Sequence, residues 1–354
     1  MKEKIITYSF IIFISLFLIL HILIPDKKIS IEERRTLSKF PKFELSNEYI
    51  EKLDNYLLEH FPFKSDFRTI KAYYNYNLVN KLDNNNIYIK DNYIFKSNYP
   101  TNKKSIDNFI NKTKKVMSCL NKDNNIYVMV IPDKNHYIKD DYFLKIDYDY
   151  IDKKISKLPG IKINIKENLN LKDYYETDTH WRQEKLPKVV KEMSKYLDFE
   201  YKDIKYEVNT YDNFYGVLYN ESAIKRNPDT LKYLKNDIID NVNIKYYEDS
   251  KLKKVYNVDK LKGLDPYDVY LNGATSYIEI TNNYSNTGKE LVVFRDSFGS
   301  SLVPLLIEYY DKITIIDNRY ISSEYYLKLI DFDKQDVLFM YSTLLINDSY
   351  GLKG

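Results

Sequence analysis

Cysteine and glycine are both scarce in this sequence of 354 residues. Cys119 is the only cysteine, which excludes an intrachain disulfide and any metal site built from several thiolates. Because Cys119 follows Val116 on the apolar side of a predicted helix, we expect a buried structural thiol. Glycine occurs only 8 times and tyrosine 37 times, a bias that runs through the whole chain and therefore carries little functional weight.

An excess of charge of one sign is also missing. The 54 Lys and Arg residues nearly balance the 51 Asp and Glu residues, and the basic residues are interspersed rather than gathered into a stripe. We therefore expect no nucleic-acid partner. The length of the chain favours one large domain with an appendage over a single small domain.

One long apolar run is present, from Ile5 to Ile24. It has about the length needed to cross a bilayer as a helix, and no Ala-x-Ala-like cleavage site follows it, so we predict an uncleaved signal anchor. The basic residues between positions 27 and 35 would by count keep the rest of the chain in the cytoplasm, but long C-terminal domains translocate largely regardless of such charge. We therefore expect a single-pass protein of the cell membrane whose bulk lies outside the cytoplasm.

The pattern along the chain predicts three segments: a transmembrane signal anchor (1–25), an extracytoplasmic stem (26–100) and an α/β domain (101–354). In the stem, apolar residues at helical spacing predict helices from Asn47 to Glu59 and from Asp66 to Val79. Beyond residue 101 helices and short apolar strands alternate, which predicts a three-layer αβα sheet.

A β-branched apolar run from Leu291 to Phe294 predicts a strand that is buried on both faces. A helix is predicted from Leu302 to Tyr309, with Pro304 tolerated in its first turn. Ser297 lies between the two, at the carboxyl edge of the sheet, where open α/β folds bind ligands. The N–H groups of the helix would provide an oxyanion site beside it. A serine that only caps the helix is the alternative interpretation.

Asp178 and His180 are two residues apart, a spacing that puts both side chains on one face of an extended segment. Asp178 would orient His180, which would accept the proton of Ser297. None of the other three histidines has an aspartate at this spacing. A structural histidine and a metal-ligand pair are the alternatives. A metal site needs a third ligand, for which Asp133 and His136 are the nearest candidates.

Four more residues are candidates for contact with a substrate. Trp181, the only tryptophan, would wall the site and exclude water, or would offer a ring face to a sugar. Lys134 follows a predicted strand from Ile126 to Ile131 and so lies at the potential active-site edge of the sheet. Asn272 and Gly273 are candidates for a second contribution to the oxyanion site.

The segment Asp178-Thr179-His180-Trp181 resembles the signature of the DHHW family, which is similar to the SGNH-like domains of bacterial alginate O-acetylation proteins. Thr179 stands where the signature has its first histidine, and Arg295 stands where general SGNH enzymes have glycine. The resemblance covers nearly the whole chain, with further landmarks at Glu33–Leu37, Phe40–Phe43, His60–Phe63, Pro132–Lys134 and Arg295–Gly299.

The resemblance implies an SGNH-hydrolase-like fold in which Asp178, His180 and Ser297 form an acetyl-transferring triad. It implies O-acetyl transfer to, or ester hydrolysis on, a cell-surface or secreted polysaccharide, with no cofactor and no metal. The expected partners are the polysaccharide, the membrane and, as an option, a membrane-bound acyl-donating transferase. A non-catalytic envelope scaffold or glycan-binding protein that keeps the fold is the alternative, and the distance between Ser297 and His180 would discriminate between the two.

Overall fold

A computed structural model describes residues 2–31, 33–139 and 142–353. The strands are β1 (Ile29–Ser30), β2 (Arg35–Thr36), β3 (Ile87–Lys90), β4 (Tyr93–Lys96), β5 (Asn125–Ile131), β6 (Ile161–Ile163), β7 (Glu207–Phe214), β8 (Asp229–Lys235), β9 (Asn243–Tyr246), β10 (Tyr277–Thr281), β11 (Glu290–Arg295), β12 (Lys312–Ile316) and β13 (Asp336–Ser342). The helices are α1 (Lys2–Leu23), α2 (Asn47–Glu59), α3 (Lys64–Tyr73), α4 (Lys103–Met117), α5 (Tyr148–Ile155), α6 (Pro187–Met193), α7 (Val217–Ser222), α8 (Asp237–Asn241), α9 (Ser297–Leu302), α10 (Ser323–Leu329) and α11 (Thr343–Asn347).

A mixed α/β architecture is built on a seven-stranded sheet with the order β6-β5-β13-β11-β12-β10-β9. The strands from β6 to β12 in this order run parallel, whereas β10 is antiparallel to both β12 and β9. In the register of the sheet, Phe294 of β11 lies between Ile316 of β12 and Phe339 of β13. Strand β11 is therefore the central strand, and its carboxyl end lies between two parallel neighbours.

Both faces of the central strand are buried. Leu291 and Val293 belong to one apolar cluster, whereas Val292 and Phe294 belong to another. Successive side chains of a strand point to opposite faces, so a strand covered on both sides needs an apolar residue at every position. This requirement explains why the run is continuously apolar rather than alternating.

The helix after β11 begins earlier than predicted. Helix α9 starts at Ser297 itself and ends at Leu302, and a 3₁₀ helix follows from Val303 to Tyr309. Pro304 has no N–H, and its ring crowds the preceding turn, so a regular α-helix does not continue through it. Ser297 is therefore the first helical residue rather than part of a turn before the helix.

The chain divides into two compact units. The stem unit contains the described residues up to Asn85 together with Tyr219–Arg226, and the α/β unit contains Asn86–Leu218 and the described residues from Asn227 onward. The β3–β4 hairpin thus belongs to the α/β unit. In the stem unit, α1 is by length and composition apolar enough to cross a membrane, and none of its described residues is buried.

Two features differ from the sequence-based expectations. The stretch 199–290 contains the antiparallel pair β7–β8 and the strands β9 and β10, none of which is among the strands named in the sequence analysis. Most residues of β7 are polar or exposed, so no apolar run marks that strand. Cys119 is exposed, and the prediction of a buried thiol is wrong because α4 ends at Met117 and its buried face does not continue.

The central position of β11 yields a stability prediction. Val293→Ala should lower the free energy of unfolding by about 2 kcal/mol, because it removes two buried methyl groups and leaves a cavity. Val208→Ala is the matched control, since Val208 is also a strand valine but is 51% exposed. Urea unfolding of both variants would measure the difference. Equal effects of the two substitutions would contradict the central placement of β11.

Candidate active site

Asp178, His180 and Ser297 form one chain of hydrogen bonds in the α/β unit. His180 Nδ1 lies 2.6 Å from Asp178 Oδ1, and His180 Nε2 lies 2.8 Å from Ser297 Oγ. An ionised carboxylate can only accept, so Nδ1–H donates to Asp178 and Nε2 accepts the hydroxyl proton of Ser297. In this arrangement the imidazole can remove the serine proton while the carboxylate fixes the imidazole tautomer.

The Asp178 carboxylate is also held by backbone N–H groups. Its Oδ1 accepts from the His180 N–H at 3.0 Å, and its Oδ2 accepts from the Val217 N–H at 2.8 Å. Residues 176–180 form a series of bends, closed by a hydrogen bond of 3.1 Å from the Tyr175 N–H to the His180 carbonyl. Asp178 and His180 therefore meet because the chain folds back on itself, and not because of strand alternation.

Ser297 is held in place by the aspartate before it. Asp296 caps α9, since its Oδ1 accepts from the Phe298 N–H at 3.1 Å, and its Oδ2 accepts from the Ser342 N–H at 2.8 Å. The carboxylate thus ties the start of α9 to the end of β13. Ser297 is half-buried between the buried residues Asp296 and Phe298. Its own N–H is at the first helical position, where no intrahelical acceptor exists.

Two aromatic rings enclose the imidazole. The His180 ring stacks on Tyr267 with 3.9 Å between the ring centroids and 10° between the planes, and the Phe298 ring lies 4.9 Å away. Tyr267 is buried, and its hydroxyl shares a hydrogen bond of 2.8 Å with Ser301. These contacts leave the His180 side chain only 12% exposed.

Comparisons with known proteins identify the fold. No family model matches the sequence, and no curated protein matches it. A DHHW family protein from Eubacterium siraeum superposes with a TM-score of 0.63 at 20% sequence identity, over 77% of this chain and 97% of that one. PatB1 of Bacillus cereus, solved with a sulfonyl adduct, gives 0.58 at 17% identity over 76% and 95%. The O-acetyltransferase domain of Pseudomonas putida AlgJ gives 0.44 at 10% identity over 74% and 92%.

The chain has the fold of a DHHW family protein. The resemblance predicted from residues 178–181 and 295–299 is thereby confirmed at the level of the fold. At identities of 20% and below the likeness concerns the fold alone. The chemistry of the DHHW-like site therefore has to be argued from the side chains of this protein.

Lys134 was predicted to contact substrate, and the structure places its side chain, which is buried, against the turn of residues 175–180. Its Nζ donates to the carbonyl oxygens of Asp178 at 2.7 Å, Tyr175 at 3.0 Å and Glu176 at 3.3 Å. Two aromatic rings of β4 lie 5.2 and 5.7 Å from the same nitrogen. Burial lowers the pKa of Lys134 to about 7. Because all three acceptors belong to the turn, Lys134 positions Asp178.

Asp229 binds the N–H groups of the same turn. Its Oδ1 accepts from the Glu176 N–H at 3.0 Å, and its Oδ2 accepts from Thr177 through the N–H at 2.8 Å and the hydroxyl at 2.7 Å. Arg182 donates to Oδ1 at 3.0 Å. Lys134 thus holds carbonyl groups and Asp229 holds amide groups of one short stretch. Sequence reasoning missed Asp229, because its partners lie about fifty residues away and nothing local marks it.

Gly216 makes a close backbone approach to the turn. Its N–H donates to the Thr177 hydroxyl at 3.0 Å, and a Cβ atom at this position would collide with the Thr177 carbonyl and the Asp178 side chain. Only glycine fits a backbone at this distance. The scarcity of glycine in the sequence was the available signal, since each of the 8 glycines is a candidate for such a constraint.

Trp181 is fully buried, so of its two predicted roles a ring face for a sugar does not fit, and the role of walling the site stays a prediction. Its Nε1 donates to the Phe298 carbonyl at 3.0 Å and to the Ser301 hydroxyl at 2.9 Å. Both acceptors belong to α9. The indole therefore ties the residue after His180 to the helix that begins at Ser297, and it helps to set the separation of these two residues.

The turn at Asn272 and Gly273 has an unusual backbone. Leu271, Asn272 and Gly273 all have left-handed φ angles, of 51°, 58° and 73°. The Gly273 N–H donates to the Tyr270 carbonyl at 3.1 Å, and the Gly273 carbonyl accepts from Arg295 at 3.3 Å. The turn is thus tied to β11, but the Gly273 N–H is already used. The contribution of Asn272 and Gly273 to an oxyanion site stays a prediction.

The candidate third metal ligands have other partners. His136 packs edge-on against Tyr137 and Tyr148, with ring centroids 5.0 and 4.7 Å apart. The Asp133 carboxylate accepts from the hydroxyls of Tyr148 at 3.0 Å and Thr343 at 2.7 Å. Within residues 2–31, 33–139 and 142–353, no group of three or more His, Cys, Asp or Glu side chains is arranged to hold a metal ion.

The buried amine of Lys134 yields a pH prediction. Between about pH 7, its folded pKa, and 10.5, its ordinary value, the unfolded chain binds a proton that the folded chain does not. The free energy of unfolding should therefore rise with pH in this window, and Lys134→Met should lose that rise. Urea unfolding across the window measures it, with the exposed Lys172→Met as control. A gap between wild type and Lys134→Met that does not change with pH would contradict the low pKa.

The close approach at Gly216 yields a prediction about reactivity. Gly216→Ala should slow the labelling of Ser297 by a sulfonyl fluoride by about a hundredfold, since a shift of the Asp178 turn misaligns His180. Mass spectrometry of the labelled chain would give the rate. Gly351→Ala should label as fast as wild type, because a Cβ there meets no atom within 4 Å. Equal rates for both variants would mean that the turn tolerates the added methyl group.

Proposed function

We propose that the protein is a membrane-anchored acyl-transfer enzyme of the SGNH-like type, with Ser297 as the nucleophile. The continuous hydrogen-bond chain from Asp178 through His180 to Ser297 carries this proposal. The nucleophile lies at the carboxyl end of the central parallel strand, which is where open α/β folds place their active sites. The SGNH-like assignment rests on this placement together with the shared DHHW fold.

The first step forms an acyl-enzyme. Ser297 Oγ attacks the carbonyl carbon of an acyl donor, and its proton passes to His180 Nε2. Asp178 stabilises the resulting imidazolium through the Nδ1–H hydrogen bond, and the Ser297 N–H is a donor for the developing oxyanion. The tetrahedral intermediate collapses, and the leaving oxygen takes the proton from His180.

The second step returns the enzyme to its starting state. An acceptor hydroxyl gives its proton to His180 and attacks the ester carbonyl, after which Ser297 leaves and regains the proton. A sugar hydroxyl as acceptor gives O-acyl transfer, whereas water gives ester hydrolysis. Either acceptor would have to reach the part of the His180 side chain that remains exposed.

The proposed substrate is a cell-surface or secreted polysaccharide, and the proposed acyl group is acetyl. The sequence resemblance to the DHHW family and to alginate O-acetylation proteins supports both choices. The apolar helix α1 supports an anchored protein, with the proposed catalytic unit outside the cytoplasm. A non-catalytic scaffold would retain the fold, but it would not need an aspartate-oriented imidazole within 2.8 Å of a half-buried serine.

The proposal predicts strongly non-additive losses of activity. Ser297→Ala and His180→Ala should each reduce turnover of an activated acetyl ester by about a thousandfold or more, and the double variant should be scarcely worse. Asp178→Asn should cost about 10⁴-fold if the wrong tautomer of His180 results. Initial rates with a chromogenic acetyl ester, and labelling by a sulfonyl fluoride of the kind that the PatB1 adduct suggests, would measure these effects.

Ser300→Ala is the matched control for these variants. Ser300 lies in the same helix as Ser297, is buried, and has no hydrogen-bond partner for its hydroxyl among the described residues. Its replacement should leave turnover unchanged. Wild-type turnover that survives Ser297→Ala would refute the assignment of the nucleophile, whereas absence of turnover and of labelling in the wild type would favour the scaffold.

A further inference from the structure

The outward face of α3 in the stem unit is apolar. Phe67 and Ile70 are 44% and 63% exposed, and their spacing of three residues places them on one stripe of the helix, which Phe63 (51% exposed) and Tyr74 (54% exposed) extend at its two ends. Ala72 is buried, so the small residues of the helix face the rest of the unit. A helix in water normally buries its large apolar residues, and α3 does the reverse.

The start of α3 has an unfavourable backbone conformation beside this stripe. Phe63 precedes the first turn with a φ of 58°, in the left-handed region that bulky residues rarely adopt. Asp66 and Lys71 are exposed and flank the stripe on its two sides. An exposed apolar stripe with polar borders indicates a surface that is covered in use.

The stripe is continuous with the candidate membrane span. The ring of Phe17 in α1 stacks on Phe61 with centroids 5.5 Å apart, and it lies 5.9 Å from the ring of Phe67. Phe17 is six residues before the end of α1 at Leu23, which is about 9 Å along the helix axis. With α1 as the span, rings that pack against Phe17 would lie near the depth where acyl chains meet headgroups.

We propose that α3 lies on the membrane surface, with Phe63, Phe67 and Ile70 inserted into the lipid in which α1 is anchored. Amphipathic helices of this kind insert their apolar face by about 5–10 Å, which matches the depth set by Phe17. Tyr73 and Tyr74 are exposed at the end of the helix, and tyrosine is enriched at membrane interfaces. The occupant of the stripe is thus the bilayer and not a protein partner.

This interaction would give the stem a second attachment to the membrane. A single span leaves a chain free to rotate about the span, whereas a helix lying in the interface adds a contact beside it. The inference depends on the anchoring by α1 and is independent of the proposed acyl transfer, so either can fail without the other.

The experiment uses the full chain and its natural fluorescence. Trp181 is the only tryptophan and is fully buried, so brominated lipids, which quench on contact, should leave its emission unchanged. Phe67→Trp and Ile70→Trp each add one indole to the stripe. Asn55→Trp is the control, because Asn55 is exposed on the polar face of α2 in the same unit. Each variant is reconstituted in phosphatidylcholine–phosphatidylglycerol vesicles with and without brominated acyl chains.

We expect brominated lipid to quench the added emission of Phe67→Trp and Ile70→Trp and to leave that of Asn55→Trp unchanged. Bromines near the headgroup end of the chains should quench more than bromines near the chain ends. Absence of quenching at positions 67 and 70, or equal quenching at all three positions, would overturn the proposal. The added indole emission could also shift to the blue in native membranes while brominated lipid fails to quench it. That result would likewise overturn the proposal, in favour of a protein partner. The wild-type protein, whose only tryptophan is the buried Trp181, gives the emission that is subtracted from that of each variant.

Discussion

A buried amine, Lys134, and a buried carboxylate, Asp229, bind the peptide groups of residues 175–178, and the rest of the site depends on that turn. Burying a charge costs several kcal/mol unless hydrogen bonds compensate for the lost water. Tight bends carry carbonyl and N–H groups with no regular partner, and the two side chains provide what these groups need. These hydrogen bonds fix the location of Asp178 and, through it, the orientation of His180.

The second half of the site comes from the sheet. Strand β11 ends just before Ser297, which therefore lies at the carboxyl edge of the sheet. Asp296 connects the start of α9 to the end of β13 by hydrogen bonds. The two halves are joined at Ser301, whose buried hydroxyl contacts both the indole of Trp181 and the ring hydroxyl of Tyr267. Because Tyr267 also stacks on His180, the position of the imidazole relative to α9 is set by side chains that are themselves fully buried. Catalytic groups supported in this way need little rearrangement before they react.

The central strand was predictable from the sequence because apolar periodicity reports burial. The sequence also singled out Asp178, His180 and Ser297, which the structure brings within hydrogen-bond distance, because the Asp-x-His and Asp-Ser-Phe-Gly segments are contiguous. The roles of Lys134, Trp181 and Asp229 were not predictable. Each acts through a hydrogen bond to backbone or to a distant hydroxyl. Many polar residues of suitable length could make such a bond, so the local sequence does not show which of them does. The start of α9 at Ser297 was also missed, since the apolar pattern of that helix becomes visible only after its small polar first turn.

The stem unit is not a contiguous stretch of chain, since Tyr219–Arg226 belongs to it and Arg68 donates to the carbonyl of Asn220 at 3.1 Å. During synthesis, residues up to 85 emerge before residue 219 by on the order of ten seconds at ordinary translation rates. The stem therefore cannot reach its final set of contacts while the ribosome is still making the first half of the α/β unit. The α/β unit also contains β9 to β13, which are made after residue 226, so the stem can close before that unit is complete.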